Sequence, residues 1–184
     1  SGQPWMYRLC ALPFLHSQKY AVAIPAYRVY PDGTASDQVT DVELALQFIQ
    51  QQFPRYCGHV TLMGHSSGAH VGLLLLAERV HRQIQSPSVT TTTAATAPLR
   101  VDAFCGISGP YNIGHHFDYE AARGVEELSP MKPACGYTRL GFDHSSPALR
   151  ILKSLAVTSN TQHDDGDVCV GRLLPPHMIL IHSI

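Results

Sequence analysis

The chain has no surplus of charge. Thirteen lysines and arginines face fourteen aspartates and glutamates, for a formal net charge of -1. Without a basic excess there is no electrostatic footprint for nucleic acid, and no block of like charge reads as an interaction tail. Long apolar runs are also missing. The longest, around residues 71–77, falls far short of the ~18 residues that read as a membrane span, so no span is expected in this chain. Ser1-Gly2-Gln3-Pro4 is polar and carries no signal-peptide pattern, and the lack of an initial Met suggests residues in front of it. The five cysteines (Cys10, Cys57, Cys105, Cys135, Cys169) are odd in number and contain no C-x-x-C pair. That argues against a disulfide scaffold and against a zinc site. The eleven histidines are scattered, and no metal or organic cofactor is implied. No internal repeat or heptad appears.

What is present suits a soluble globular core. The 184 residues are 45% hydrophobic and 15% charged, enough apolar material for one domain and too much for a disordered chain.

Along the chain, helical and strand patterns alternate. Residues 5–16 carry Trp5, Leu9, Leu12 and Leu15 at helix-like spacing, interrupted by Pro13. Residues 20–25 form a short apolar run ended by Pro25 and read as a buried strand. Pro31-Asp32-Gly33 is a turn signal, with Pro presetting one dihedral and Gly permitting a positive one. Residues 36–53 place Val42, Ala45, Leu46, Ile49 and Phe53 on one stripe, an amphipathic helix that Ser36 or Asp37 would cap and Pro54 would stop. A strand over residues 59–63 follows. A helix apolar on most faces then starts at Ser67, with the run Leu73-Leu74-Leu75-Leu76 as core.

Residues 86–98 are a Ser/Thr/Ala/Pro tract, read as a low-complexity surface loop. Residues 101–107 read as a third strand. Residues 111–150 look like a lid-like excursion over one end of the sheet, and His177-Met178-Ile179-Leu180-Ile181 reads as a fourth strand. Strands alternating with helices imply right-handed crossovers and a parallel sheet. Short, uniformly apolar strands fit a sheet covered on both faces. The fold class expected is therefore α/β, three layers α/β/α about a mainly parallel sheet.

Chemistry concentrates at Gly64-His65-Ser66-Ser67-Gly68, a G-x-S-x-G directly between a strand and a helix. Ser66 must stand on a very tight turn for its hydroxyl to project above the sheet. Gly64 and Gly68 leave room for the crowded backbone. The helix N-terminus offers positive potential and free N–H groups, with the Ser67 N–H as one oxyanion donor.

With those residues in view, the chain resembles the α/β-hydrolase fold. Tyr27-Arg28, Pro31, Gly33-Thr34, Ser36-Asp37, Val39 and Asp41, followed by Leu62-Met63-Gly64-His65-Ser66-Ser67-Gly68-Ala69-His70, are similar to isoprenylcysteine methylesterases, kynurenine formamidases and related small carboxylesterases, most closely the first. Ser108-Gly109-Pro110-Tyr111-Asn112-Ile113, Ser146-Pro147 and Leu174-Pro175-Pro176 before a strand ending in His182 fit the same branch. The resemblance covers nearly the whole chain. It implies a serine carboxylesterase with Ser66 as nucleophile, a small ester substrate such as a prenylated cysteine methyl ester, and no cofactor.

The same resemblance sets an expectation of incompleteness at both ends. The family's His-Gly-Gly oxyanion loop would precede Ser1. Its triad acid, in a His-Gly-x-x-Asp run, and its catalytic His would follow Ile184, and Ser183 stands where that run has Gly. On this reading residues 1–184 are one partial domain without turnover of its own, and the competing reading is a binding module built on a degenerate hydrolase. The sequence leaves location open: cytoplasmic, or endomembrane-associated as the resemblance implies if an anchor lies upstream of Ser1.

Other polar groups invite plainer readings. Asp164, Asp165 and Asp167 beside His163 read as a solvated turn. His65 and His70 flank the nucleophile and suit packing or support of it rather than base catalysis. The consecutive His115 and His116 point apart and read as surface residues. Asp37 and Asp41 share a helix face, with Asp41 expected to pair with Arg28. Cys105 reads as an inert core residue.

Overall fold

A computed structural model describes residues 4–85, 97–160 and 170–181. The N-terminal apolar segment coils into a short 3-10 turn and helix α1 (Arg8–His16), which carries Pro13 inside it. Helix α2 (Ala35–Gln52) is capped by Thr34 rather than by Ser36 or Asp37. Thr34 Oγ1 accepts from the Asp37 N–H at 3.3 Å, and Asp37 Oδ2 accepts from the Thr34 N–H at 2.9 Å. This reciprocal capping box satisfies two donors that the helix start leaves open. Pro54 follows the helix end as expected and opens a 3-10 turn, Pro54–Tyr56.

Three parallel strands form the sheet of the described residues, in the order β1 (Thr61–His65), β2 (Ala103–Ile107) and β3 (His177–Ile181). The register aligns His65 with Ile107 and Ile107 with Ile181. Residues 20–25 do not join it. They carry no regular secondary structure and no ladder, so the strand expected there is corrected. An apolar run becomes a strand only where a neighbour takes its N–H and C=O groups, and none of the described strands does so.

Helix α3 (Ser67–Gln85) is the hub, packed against β1, β2, α2 and α7 (Pro147–Asn160). Its four consecutive leucines are all buried because the helix is enclosed on most sides. Leu74 and Leu75 meet Val39, Val42 and Leu46 of α2, while Leu73 and Leu76 meet Phe104 and Val101. Gly72 lets this helix sit close to the sheet, since a Cβ there would lie 3.0 Å from Phe104 Cε2.

Among the described residues, nothing covers the opposite face of the sheet. Met63 and Ile179, aligned through Cys105, are 51% and 58% exposed, so among the described residues α3 covers one face of β1 and β2, while β3 is exposed on both faces. Cys105 is accordingly half-buried on that open face and not in the core.

The excursion is helical: α4 (Ile113–Ala122), α5 (Met131–Ala134) and α6 (Arg139–His144) lead into α7. It owns a small core of Ala35, Ile113, Cys135 and Phe142. Ser146 ties it down. Its buried hydroxyl accepts from the Ile113 N–H at 2.8 Å and donates to the Phe142 carbonyl at 2.6 Å. A last short helix, α8 (Val170–Leu173), precedes β3. The 86–98 tract and the Asp164, Asp165, Asp167 and His163 group fall almost wholly outside the described residues. No described helix is long and apolar enough to cross a membrane.

Candidate active site

β1 ends on His65 and α3 begins on Ser67, which leaves a single residue, Ser66, to reverse the chain. Ser66 takes φ 51°, a left-handed conformation that a non-glycine residue holds at a cost of about 1–3 kcal/mol. Its neighbours enforce it. The Ser66 N–H donates to the Ile107 carbonyl at 2.8 Å, and the Ser66 carbonyl accepts from the His70 N–H at 3.1 Å. The first bond extends the sheet ladder and the second starts the helix.

Gly64 explains why the turn is so tight. A Cβ on it would lie 2.4 Å from the Gly68 carbonyl carbon and oxygen and 2.5 Å from the Ala69 nitrogen. At Gly68 the need is milder, its nearest neighbour to an added Cβ being Tyr27 Oη at 3.8 Å.

Ser66, Ser67 and His65 are all exposed at the carboxyl edge of the strands. In an open parallel sheet, that edge is where ligands bind. The Ser67, Gly68 and Ala69 N–H groups lie in the first turn of α3, where a helix leaves its donors free. Among the described residues, no hydrogen bond engages Ser66 Oγ.

The two histidines beside Ser66 separate cleanly. His65 is exposed. His70 is buried, and its Nε2 donates to the Ser145 carbonyl at 2.6 Å. Burial holds its imidazole pKa below the ordinary value, the Ser145 carbonyl opposes that, and nearby His116 adds to it. A histidine locked in this way supports the helix and does not reach out as a base. His115 is exposed, while His116 pairs with Glu120 at 3.3 Å within α4.

Behind the elbow, Arg28 clamps α2. Its Nη2 lies 2.8 Å from Asp41 Oδ1, its Nε 3.0 Å from Asp41 Oδ2, and its backbone N–H donates to Oδ2 at 2.8 Å. Asp37 stands 3.5 Å from the same guanidinium. The expected ion pair is present, and its first effect is to lower the Asp41 carboxyl pKa through the Arg28 hydrogen bond. Gly33 belongs to this clamp for a reason other than a positive dihedral. A Cβ there would come within 2.8 Å of Arg28 Cβ.

Ser108 is a neighbour that sequence reasoning did not single out as a site residue. It follows β2 as Ser66 follows β1, with φ 51°, and its N–H donates to the Ile181 carbonyl at 2.7 Å. Two serines therefore hold strained backbone side by side at one sheet edge. The available signal was a Ser-Gly-Pro run directly after a strand. Gly109 lets this loop lie on α3, since a Cβ there would sit 2.9 Å from Ala69 Cβ and 2.7 Å from the Tyr111 ring. The Tyr111 hydroxyl is buried beside Gly106, and burial raises its pKa. No cluster of three or more potential metal ligands occurs among the described residues.

A left-handed serine between a parallel strand and the helix that packs on it defines an α/β-hydrolase scaffold. Residues 7–134 match the BD-FAE family, and the chain belongs to that family. It is 32% identical over 168 residues to the isoprenylcysteine alpha-carbonyl methylesterase of Arabidopsis thaliana, covering 88% of this chain and 34% of that protein. A probable isoprenylcysteine alpha-carbonyl methylesterase of Oryza sativa subsp. japonica is 31% identical over 56% of this chain and 25% of its own length. The chain thus spans about a third or less of the curated relatives it matches. Among solved structures, the inhibited esterase B from Lactobacillus rhamnosis superposes with a TM-score of 0.66 at 16% identity, over 98% of this chain and 60% of that one. This likeness is one of fold.

Proposed function

We propose that this chain is the nucleophile-bearing part of a serine carboxylesterase acting by acyl transfer. The observation that carries the reading is Ser66 held at φ 51° on the elbow between β1 and α3. Ser66 Oγ bonds to the ester carbonyl carbon as a histidine base takes its proton. The carbonyl oxygen becomes an oxyanion facing the Ser67 N–H. Collapse breaks the C–O bond, the base returns the proton to the departing alcohol, and water then cleaves the acyl-enzyme by the same route. The resemblance of the sequence assigns the acid and the base to positions after the last strand. The names of the relatives support a methyl ester of a prenylated cysteine as the substrate class.

The natural protein containing this chain is the one to assay. Hydrolysis of p-nitrophenyl acetate and fluorophosphonate labelling should both vanish in Ser66→Ala, and full activity in that variant would overturn the nucleophile. An S-prenylated cysteine methyl ester should exceed a methyl ester of matched polarity in kcat/KM.

One observation favours a second reading, in which these 184 residues alone bind but do not turn over. Among the described residues, no hydrogen bond engages Ser66 Oγ and no histidine is paired with it. Fluorophosphonate labelling of Ser66 in the isolated 184-residue chain would refute it.

A further inference from the structure

Tyr27 lies in the irregular stretch between α1 and α2, yet its phenol oxygen stands 3.2 Å from Ser67 Oγ, forty residues on. That meeting is held from two sides. The Tyr27 ring packs against the cluster of Val39, Val42, Leu46, Val71 and Leu74. The next residue is Arg28, whose backbone N–H and guanidinium both bind Asp41. With ring and main chain fixed, the phenol is the one free end of the side chain, and it reaches the elbow.

Ser67 is where that contact matters. Its N–H belongs to the peptide between left-handed Ser66 and the first turn of α3. The orientation of that peptide sets where the oxyanion donor points. Left-handed backbone at a non-glycine residue persists only where surrounding contacts over-determine it. Three such contacts act within the sheet and helix: the Ser66 bond to Ile107, the His70 bond to Ser66, and the Gly64–Gly68 approach. The Tyr27–Ser67 contact is a fourth and comes from outside both elements.

We infer that Tyr27 is a positioning residue for ester hydrolysis, its hydroxyl bracing Ser67 so that the Ser67 N–H meets the oxyanion. The inference rests on the serine esterase reading above. It goes beyond that reading by assigning separate roles to the Tyr27-Arg28 pair. Arg28 anchors the segment to α2, and Tyr27 carries that rigidity to the nucleophile. An oxyanion donor acts more strongly on the transition state than on bound substrate. Misplacing it therefore lowers kcat and leaves KM nearly unchanged.

The test uses the natural protein containing this chain, with active sites counted by fluorophosphonate titration so that kcat refers to folded enzyme. Tyr27→Phe keeps the ring in its packing and removes only the hydroxyl. It should lower kcat about tenfold to a hundredfold, the range a small misplacement of a catalytic group produces, with KM within about twofold. Ser67→Ala, which keeps the N–H and removes Oγ, should do the same. The double variant should lose no more than either single one, because both remove one contact. An unchanged kcat in Tyr27→Phe, a loss confined to KM, or additive losses in the double variant would each overturn the inference. Ser66→Ala run in parallel separates the two levels. If it abolishes turnover while Tyr27→Phe does not affect it, Tyr27 fails alone. If it leaves turnover intact, the nucleophile reading fails with it.

Discussion

The His70 imidazole donates to the Ser145 carbonyl across 2.6 Å, joining the first turn of α3 to the end of the helical excursion. The two residues are 75 apart in sequence. Adjacent Ser146 closes the same turn by accepting from Ile113 and donating to Phe142. The excursion is therefore pinned to α3 directly beneath Ser66.

This pin predicts a pH dependence of stability. Burial, reinforced by His116 and opposed by the Ser145 carbonyl, keeps the His70 pKa in the folded state below its unfolded value. The unfolded chain thus binds the extra proton first as pH falls. The stability is fully present above about pH 6.5 and is lost as pH drops below it towards the folded pKa. One proton's difference limits the slope to about 1.4 kcal/mol per pH unit. His81 shares the direction, through burial and then Arg150 and Lys153, so it contributes a background slope. Urea midpoints of wild type and His70→Gln between pH 7.5 and 5 should converge as pH falls. Parallel curves would refute the assignment.

The elbow makes a second prediction from sterics alone. Gly64→Ala drives a Cβ against backbone atoms at 2.4 and 2.5 Å, and backbone cannot swing aside as a side chain can. Overpacking of this kind typically costs about 1–3 kcal/mol and here should reach the top of that range or prevent folding. Gly58 is the control, with nothing within 4 Å of its added Cβ and no left-handed φ. Gly58→Ala should be neutral or stabilising by up to about 1 kcal/mol. Thermal midpoints of the two variants settle the contrast. Similar midpoints would mean that the elbow is looser than the Gly64–Gly68 approach requires.

What the sequence disclosed was what local chemistry decides. The β1–Ser66–α3 elbow was legible because three glycine and serine positions between a strand and a helix have few other uses. Arg28 and Asp41 were legible because α2 places Asp37 and Asp41 on one face. The segment 20–25 misled because an apolar run carries no record of whether a partner strand exists. The α2 cap lies at Thr34 because Thr34, Ser36 and Asp37 are all good cap residues by composition, and only the Thr34–Asp37 capping box selects the first. The contacts of Ser146 and His70 were invisible, since each joins residues that only the folded excursion brings together.

The pair Arg79–Glu43 is another such contact, and it supports the final prediction. It crosses the α2–α3 seam with two parallel bonds, Nε to Oε2 and Nη2 to Oε1, both 2.8 Å. Arg79 Nη1 also donates to the Leu99 carbonyl at 2.7 Å, so one guanidinium fastens both helices and the approach to β2. The side chains are only 16% and 14% exposed, which sets this pair apart from surface ion pairs worth about 0–1 kcal/mol. Removing either partner strands a largely desolvated charge. Glu43 would be left with Arg82 at 3.9 Å, and Arg79 with the Leu99 carbonyl. Arg79→Ala and Glu43→Ala should each cost about 2–4 kcal/mol, towards the range for a broken buried pair. The double variant should cost less than their sum by about 1–3 kcal/mol. Urea denaturation of the four proteins in the cycle measures this coupling. Strict additivity would show that the two side chains act as separate surface charges and that apolar contacts alone hold the seam.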